Sequence, residues 1–170
     1  YNLENDLTKK GYAFMPICFG ISFTNTLMNQ ASALINIYTD GSVTFTTAAV
    51  EMGQGVNAKI KEVISRVLGI SHDKIKTEPT NTSRNANTSP TAASSGADLN
   101  GHAAKIASSM LKERLLRSAQ TELNLPLYEL SIKDEVVCHK GIPTALTWTD
   151  LVMKSYNKRI SLQQQAFYAT

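Results

Sequence analysis

Apolar residues in this chain fall in short runs spaced every second residue or every third and fourth, and the switches lay out the elements. Residues 11–23, GYAFMPICFGISF, mix aromatic, β-branched and glycine positions and predict an extended strand, with Pro16 at an edge or bulge. Residues 31–39 alternate, Ala33, Ile35 and Ile37 against Leu34, Asn36 and Tyr38. The pattern resumes at Val43–Ala48 after TDGS, and Asp-Gly between two such runs predicts a hairpin. From Val56 the period lengthens: Val56, Ile60, Val63 and Val67, broadened by Ile64 and Leu68, mark one face of a helix that stops at Gly69.

A short strand is expected within 73–79. Residues 80–101, TNTSRNANTSPTAASSGADLNG, are crowded with Thr, Ser, Asn and Ala and predict a loop. A loop this long inside a domain is uncommon unless it has a task. A second helix is predicted over about 98–118, with Leu99, Ala103, Ile106 and Met110 on one face. The stretch LSIKDEVVCHKGIPTALTW predicts two short strands around a Lys140-Gly141 turn. A short helix then starts at Thr147–Asp150 and reaches about Tyr156, and residues 159–169 alternate again. The order β-β-β-α-β-α-β-β-α-β predicts an α+β fold: a mixed sheet with helices packed on one face, a two-layer sandwich, in one domain over 1–170.

Composition narrows the classes. Of 170 residues, 42% are hydrophobic and 18% charged, which excludes a disordered chain. The formal charge of +3 is spread along the chain, so no basic block argues for nucleic acid. No apolar run reaches the roughly 18 residues that cross a membrane, and no secretory leader pattern is present. Cys18 and Cys138 lie far apart with no CxxC, so neither a zinc site nor a disulfide framework is indicated, and a reduced, cytoplasmic setting is expected. His72, His102 and His139 have no companion at metal-ligand spacing and read as solvated or capping residues. The chain begins with Tyr1 and stops straight after a strand-like run, which reads as a piece of something longer.

Two loops carry the candidate chemistry. In EMGQG, residues 51–55, Gly53 and Gly55 bracket Gln54 where a strand becomes a helix. The first turn of a helix presents unpaired N–H groups and partial positive charge, an arrangement suited to an anion. Glycine lets backbone approach a ligand, and Gln54 can donate and accept hydrogen bonds. Glu51 is a candidate base, though a structural hydrogen bond accounts for it better. Thr91, Ala92, Ala93, Ser94, Ser95 and Gly96 repeat the arrangement ahead of the second helix. Two such loops could grip two parts of one elongated, phosphate-bearing ligand. The same residues also suit ordinary caps and turns, and no Walker or dinucleotide fingerprint is present.

Three stretches, FGISFTNTLMNQASALINIYTDGSV, EMGQGVNAKIKEVISRVLGI and NTSPTAASSGADLNG, resemble the molybdenum-binding subunit of the xanthine dehydrogenase and aldehyde oxidase family. The tail LTWTDLVMKSYNKRISLQQQAFYAT is similar to it too. The resemblance implies a molybdopterin cofactor held through Met52, Gly53, Gln54 and Gly55 against the pterin, and through Thr91, Ala92, Ala93, Ser94, Ser95 and Gly96 around its phosphate. Whether that cofactor carries a cytosine dinucleotide extension is left open. The resemblance further implies 2Fe-2S and FAD groups in partner domains or subunits, a purine or aldehyde substrate, and a catalytic glutamate in a segment after Thr170. No catalytic residue and no metal ligand is therefore expected within these residues, and the chain alone is expected to be inactive; the alternative is a non-catalytic interaction or assembly module with the same fold. Some family members carry serine where this chain has Gly96, so Ser95 or backbone amides would have to serve the phosphate. An apolar face left exposed on the isolated domain is also expected.

Overall fold

A computed structural model describes residues 1–17, 20–85 and 88–170. Its first regular strand, β1, is Gln30–Ile37, and β2 is Val43–Thr47. They pair antiparallel with Ile35 opposite Phe45 and Ile37 opposite Val43, all four essentially inaccessible to water. The connection is the expected hairpin: Gly41 takes φ +82°, its N–H donates to the Tyr38 carbonyl at 2.8 Å, and Asp40 Oδ1 accepts from Ser42. Trp148 lies across this turn and donates Nε1–H to the Gly41 carbonyl at 2.7 Å.

Helix α1 is Val56–Leu68, and its buried stripe is Val56, Ile60, Ile64 and Leu68, a strict fourfold spacing, while Val63 and Val67, expected on that face, are only half-buried. Gly69 caps it with φ +74°, where a side chain would collide with the Ile132 carbonyl. Strand β3, Ile75–Thr77, follows and pairs parallel with β2. Helix α2 is longer than expected, Gly96–Leu123. Leu99 and Ala103 are buried as predicted, whereas Ile106 and Met110 remain 37% and 46% exposed. The face that packs is Leu99, Ala103, Ala104, Ala107, Leu111, Leu115 and Ala119. Its alanines let α2 come close to α1, β1 and β7, and a hydrophobic count favours the larger Ile and Met over them.

The stretch read as two strands holds three: β4 Leu130–Lys133, β5 Val136–His139 and β6 Ile142–Thr147. Lys140 and Gly141 turn the second hairpin, as expected, with φ +50° and +80°. The first is turned by Asp134 and Glu135, also left-handed at +49° and +63°; without a glycine that turn is hidden in the sequence. Helix α3, Trp148–Asn157, is capped by Thr147, whose Oγ1 accepts from the Asp150 amide. Strand β7 is Gln163–Ala169.

The strands form two sheets, β3-β2-β1-β7 and β4-β5-β6. The first is mixed, with α1 and α2 over it, so the α+β reading holds while the single sheet becomes two. One core cluster runs from Ile35 and Phe45 through Ile64 and Leu111 to Ile132, Val137 and Trp148. The strand expected at 11–23 is absent from its described residues: 11–17 and 20–23 join no sheet, and Cys18 and Phe19 lie outside the described residues. Tyr12, Phe14, Met15 and Ile17 point to solvent there, because the pattern is extended but no strand faces it. The exposed apolar residues are concentrated in this arm, together with Leu3 and Leu7. Among the described residues no helix is long and apolar enough to cross a membrane.

Candidate functional site

The pairing of β2 with β3 positions the site. Parallel neighbours end at the same edge of a sheet, so the segments leaving them, into α1 and into α2, emerge side by side; ligands of α/β sheets commonly bind at such carboxyl ends. The two loops are joined directly, the Val50 amide donating to Thr91 Oγ1 at 2.9 Å. Between them is a cavity of about 340 Å³ lined by Met52, Gln54, Thr91, Ala92, Ser94 and Gly96, with Val56, Lys59 and Ala97. Gly53, Gly55, Ala93 and Ser95 belong to the same loops but do not line it.

The β2–α1 loop differs in detail from expectation. Gly53 and Gly55 have φ of +98° and +76° with open space where a side chain would sit, so backbone geometry requires them. Their amides are not left for a ligand. Glu51 Oε1 accepts from both, at 3.0 and 2.9 Å, and Oε2 accepts from the Asn57 amide at 3.1 Å. The anion that the start of α1 attracts is thus the chain's own carboxylate. These bonds, from Asn57 and Gly55 first and Gly53 after them, hold the Glu51 carboxyl below the ordinary range. A carboxylate so engaged is a brace rather than a base. Gln54 braces the loop as well: Oε1 accepts from the Met52 amide at 2.6 Å and Nε2 donates to the Val50 carbonyl at 2.9 Å.

The β3–α2 loop keeps its donors. Ala93 and Ser94 are left-handed at φ +52° and +55°, uncommon for residues with side chains. The Ser22 amide holds this bend by donating to the Ala93 carbonyl at 2.9 Å. Ser95 is buried and donates its hydroxyl to the Ala92 carbonyl at 2.8 Å, so the hydroxyl expected to serve a phosphate is committed within its own loop. Nor does it cap the helix: α2 has no side-chain cap, and among the described residues the amides of Gly96, Ala97 and Asp98 have no partner. The backbone of α2 is therefore the donor set that remains open.

Val56, Lys59 and Ala97 line the cavity without having been expected there, and Lys59 is the charged one. It sits one turn into α1, where the period marks it only as off the buried stripe. Its backbone accepts an ordinary helical role, the amide donating to the Gly55 carbonyl at 3.1 Å, and its placement in the cavity depends on where the second loop lies.

The cavity at the carboxyl edge of the paired strands is thus lined largely by small residues, with open backbone amides and one lysine beside it. The chain belongs to the molybdopterin cofactor-binding domain family, whose pattern matches residues 2–170. It is 40% identical over 168 residues to xanthine dehydrogenase/oxidase of Gallus gallus, a match covering 99% of this chain and 11% of that protein. It is 47% identical over 116 residues to a nicotinate hydroxylase of Emericella nidulans, covering 68% and 9%. Among solved structures, CO dehydrogenase from Oligotropha carboxidovorans aligns with a TM-score of 0.71 at 26% identity, over 84% of this chain and 18% of that one. Quinoline 2-oxidoreductase from Pseudomonas putida shares the fold, with a TM-score of 0.77 at 23% identity over 83% and 19%. The chain spans about a tenth of the length of its curated relatives.

Proposed function

We propose that this chain is the part of a xanthine-dehydrogenase-type molybdenum hydroxylase that grips the pterin and phosphate of the cofactor. The observation that carries the reading is the convergence of Met52 and Gln54 with Thr91, Ala92, Ser94 and Gly96 on one cavity. The residues fit such a group: small side chains leave room, and the unpartnered amides at the start of α2 offer positive potential to a phosphate. Gly53, Gly55, Ala93 and Ser95 act from behind, fixing the loop backbones. When bound, the molybdenum centre supplies the oxygen transfer and two-electron chemistry of hydroxylation. What these residues contribute is binding, orientation and a boundary that keeps water from the ring system.

Purine and aldehyde remain the substrate classes, with xanthine favoured by overall likeness to its dehydrogenases. Iron–sulfur and FAD groups in other domains or subunits carry the electrons away, on to NAD in a dehydrogenase. The setting is cytoplasmic, and the base for water is a glutamate outside these residues, since Glu51 is engaged by three amides.

Titrating the ¹⁵N-labelled chain with molybdopterin tests the reading. The amides of Met52, Gln54, Thr91, Ala92, Ser94 and Gly96 shift together, and Ala92→Phe, which fills the cavity, abolishes the response. Equal shifts with ATP or CTP would point to a plain nucleotide site instead, and silence at both loops would overturn the proposal.

A further inference from the structure

Lys59 stands apart from every other charge at the cavity. It is exposed and lines the space between the loops. Among the described residues no carboxylate pairs with it. Glu51 is committed to three backbone amides, and Glu62, one turn further along α1, is committed to Arg66 and His72. Its position also runs against the local rule. A cation in the first turn of a helix faces the positive end of the macrodipole, where an acidic residue is the stabilising choice. Helix α1 has no acidic residue in that turn. Glu51, reaching in from the preceding loop, neutralises the helix end, so that the positive charge left over the cavity is that of Lys59. Departures from a local rule without a structural gain concentrate at functional sites. On the other wall, the Gly96 and Ala97 amides open α2 without a partner.

We infer that Lys59 is the binding residue that supplies the counter-charge to the ligand's anionic arm, acting with the amides of Gly96 and Ala97 and not with those of Gly53 and Gly55. The inference rests on the cofactor-binding reading above and makes it more specific. It keeps the phosphate on the α2 side of the cavity, and it gives α1 a side-chain role in place of the backbone role that its glycines suggest. Lysine contributes here as a mobile point charge, so arginine substitutes for it and a neutral isostere does not.

The test is a titration of the ¹⁵N-labelled 170-residue chain with inorganic phosphate at fixed ionic strength, comparing the native protein with Lys59→Gln and Lys59→Arg. The residue is exposed, so both variants fold. In the native chain the Gly96 and Ala97 amides shift saturably while Gly53 and Gly55 stay still. Lys59→Gln weakens that response by up to about fivefold, the upper end for one exposed charge contact, and Lys59→Arg restores it to near the native response. A native response at Gly96 and Ala97 that Lys59→Gln leaves unchanged overturns the role of Lys59 and leaves the cofactor-binding reading intact. A response centred on Gly53 and Gly55 overturns the assignment of the phosphate to α2. No response at either loop overturns both the inference and the phosphate grip on which it rests.

Discussion

Glu51 shows how one side chain can reassign a whole loop. Read along the chain, Gly53 and Gly55 ahead of α1 present donors to a ligand; in three dimensions those donors meet a carboxylate two and four residues away, which the Asn57 amide also reaches. The carboxyl is held below its ordinary 4.5 by these amides. A depressed folded value means that the ionised form stabilises the loop: the contribution is complete above about pH 4.5 and is lost as pH falls through the folded value. We expect the Gly53, Gly55 and Asn57 amide resonances to move together only below that point. In Glu51→Gln they are displaced at neutral pH and the acid transition is gone. A loop that shows the same transition in the variant would exclude Glu51 as its brace.

At the scale of elements, the contacts that join the second sheet and α3 to the rest include one at Gly69 and one at Glu122. Gly69, at the end of α1, lies against the Ile132 carbonyl of β4, and its φ is positive. Gly69→Ala meets both a strained backbone and a steric collision, and should destabilise by at least about 2 kcal/mol in urea denaturation. Glu122, near the end of α2, accepts from Lys154 of α3 at 2.8 Å and from Lys158 just past its end. Those bonds, Lys154 first, lower its pKa from 4.5 to about 2. The stabilisation is therefore present above pH 4.5 and lost between there and pH 2. Acid denaturation of Glu122→Gln should be flatter over that window than that of the native chain, and parallel curves would remove Glu122 from the account.

For the whole molecule, the division is between a packed body and an arm. The core is continuous from β1 and β2 through both long helices to Trp148 and Val137. By contrast Tyr12 and Phe14 are 99% and 91% exposed. Brief chymotrypsin treatment followed by mass spectrometry should therefore find cuts at Tyr12 and Phe14 while α1, α2 and strands β1, β2 and β7 stay intact. Early cleavage within α2 would show that the body is not the stable unit described. The arm is anchored where it reaches the site, since Asn29 exchanges hydrogen bonds with Phe23 and Ser22 donates to Ala93. The arm thus bears on the left-handed bend of the β3–α2 loop.

Local patterns were legible wherever the physics is local. The Asp40-Gly41 hairpin, the α1 stripe with its Gly69 stop, the Lys140-Gly141 turn and the Thr147 cap each depend on residues within a few positions, and each is present. The glycine-bracketed and small-residue loops were visible as candidates for the same reason. What tertiary structure alone decided depends on residues far apart in the chain. These are the parallel pairing of β2 with β3 that brings the loops together, the choice of an alanine face on α2, the split into two sheets, and the position of Lys59. The extended pattern of 11–17 could not say whether a strand would face it, because a strand is completed by its neighbour's backbone and not by its own sequence.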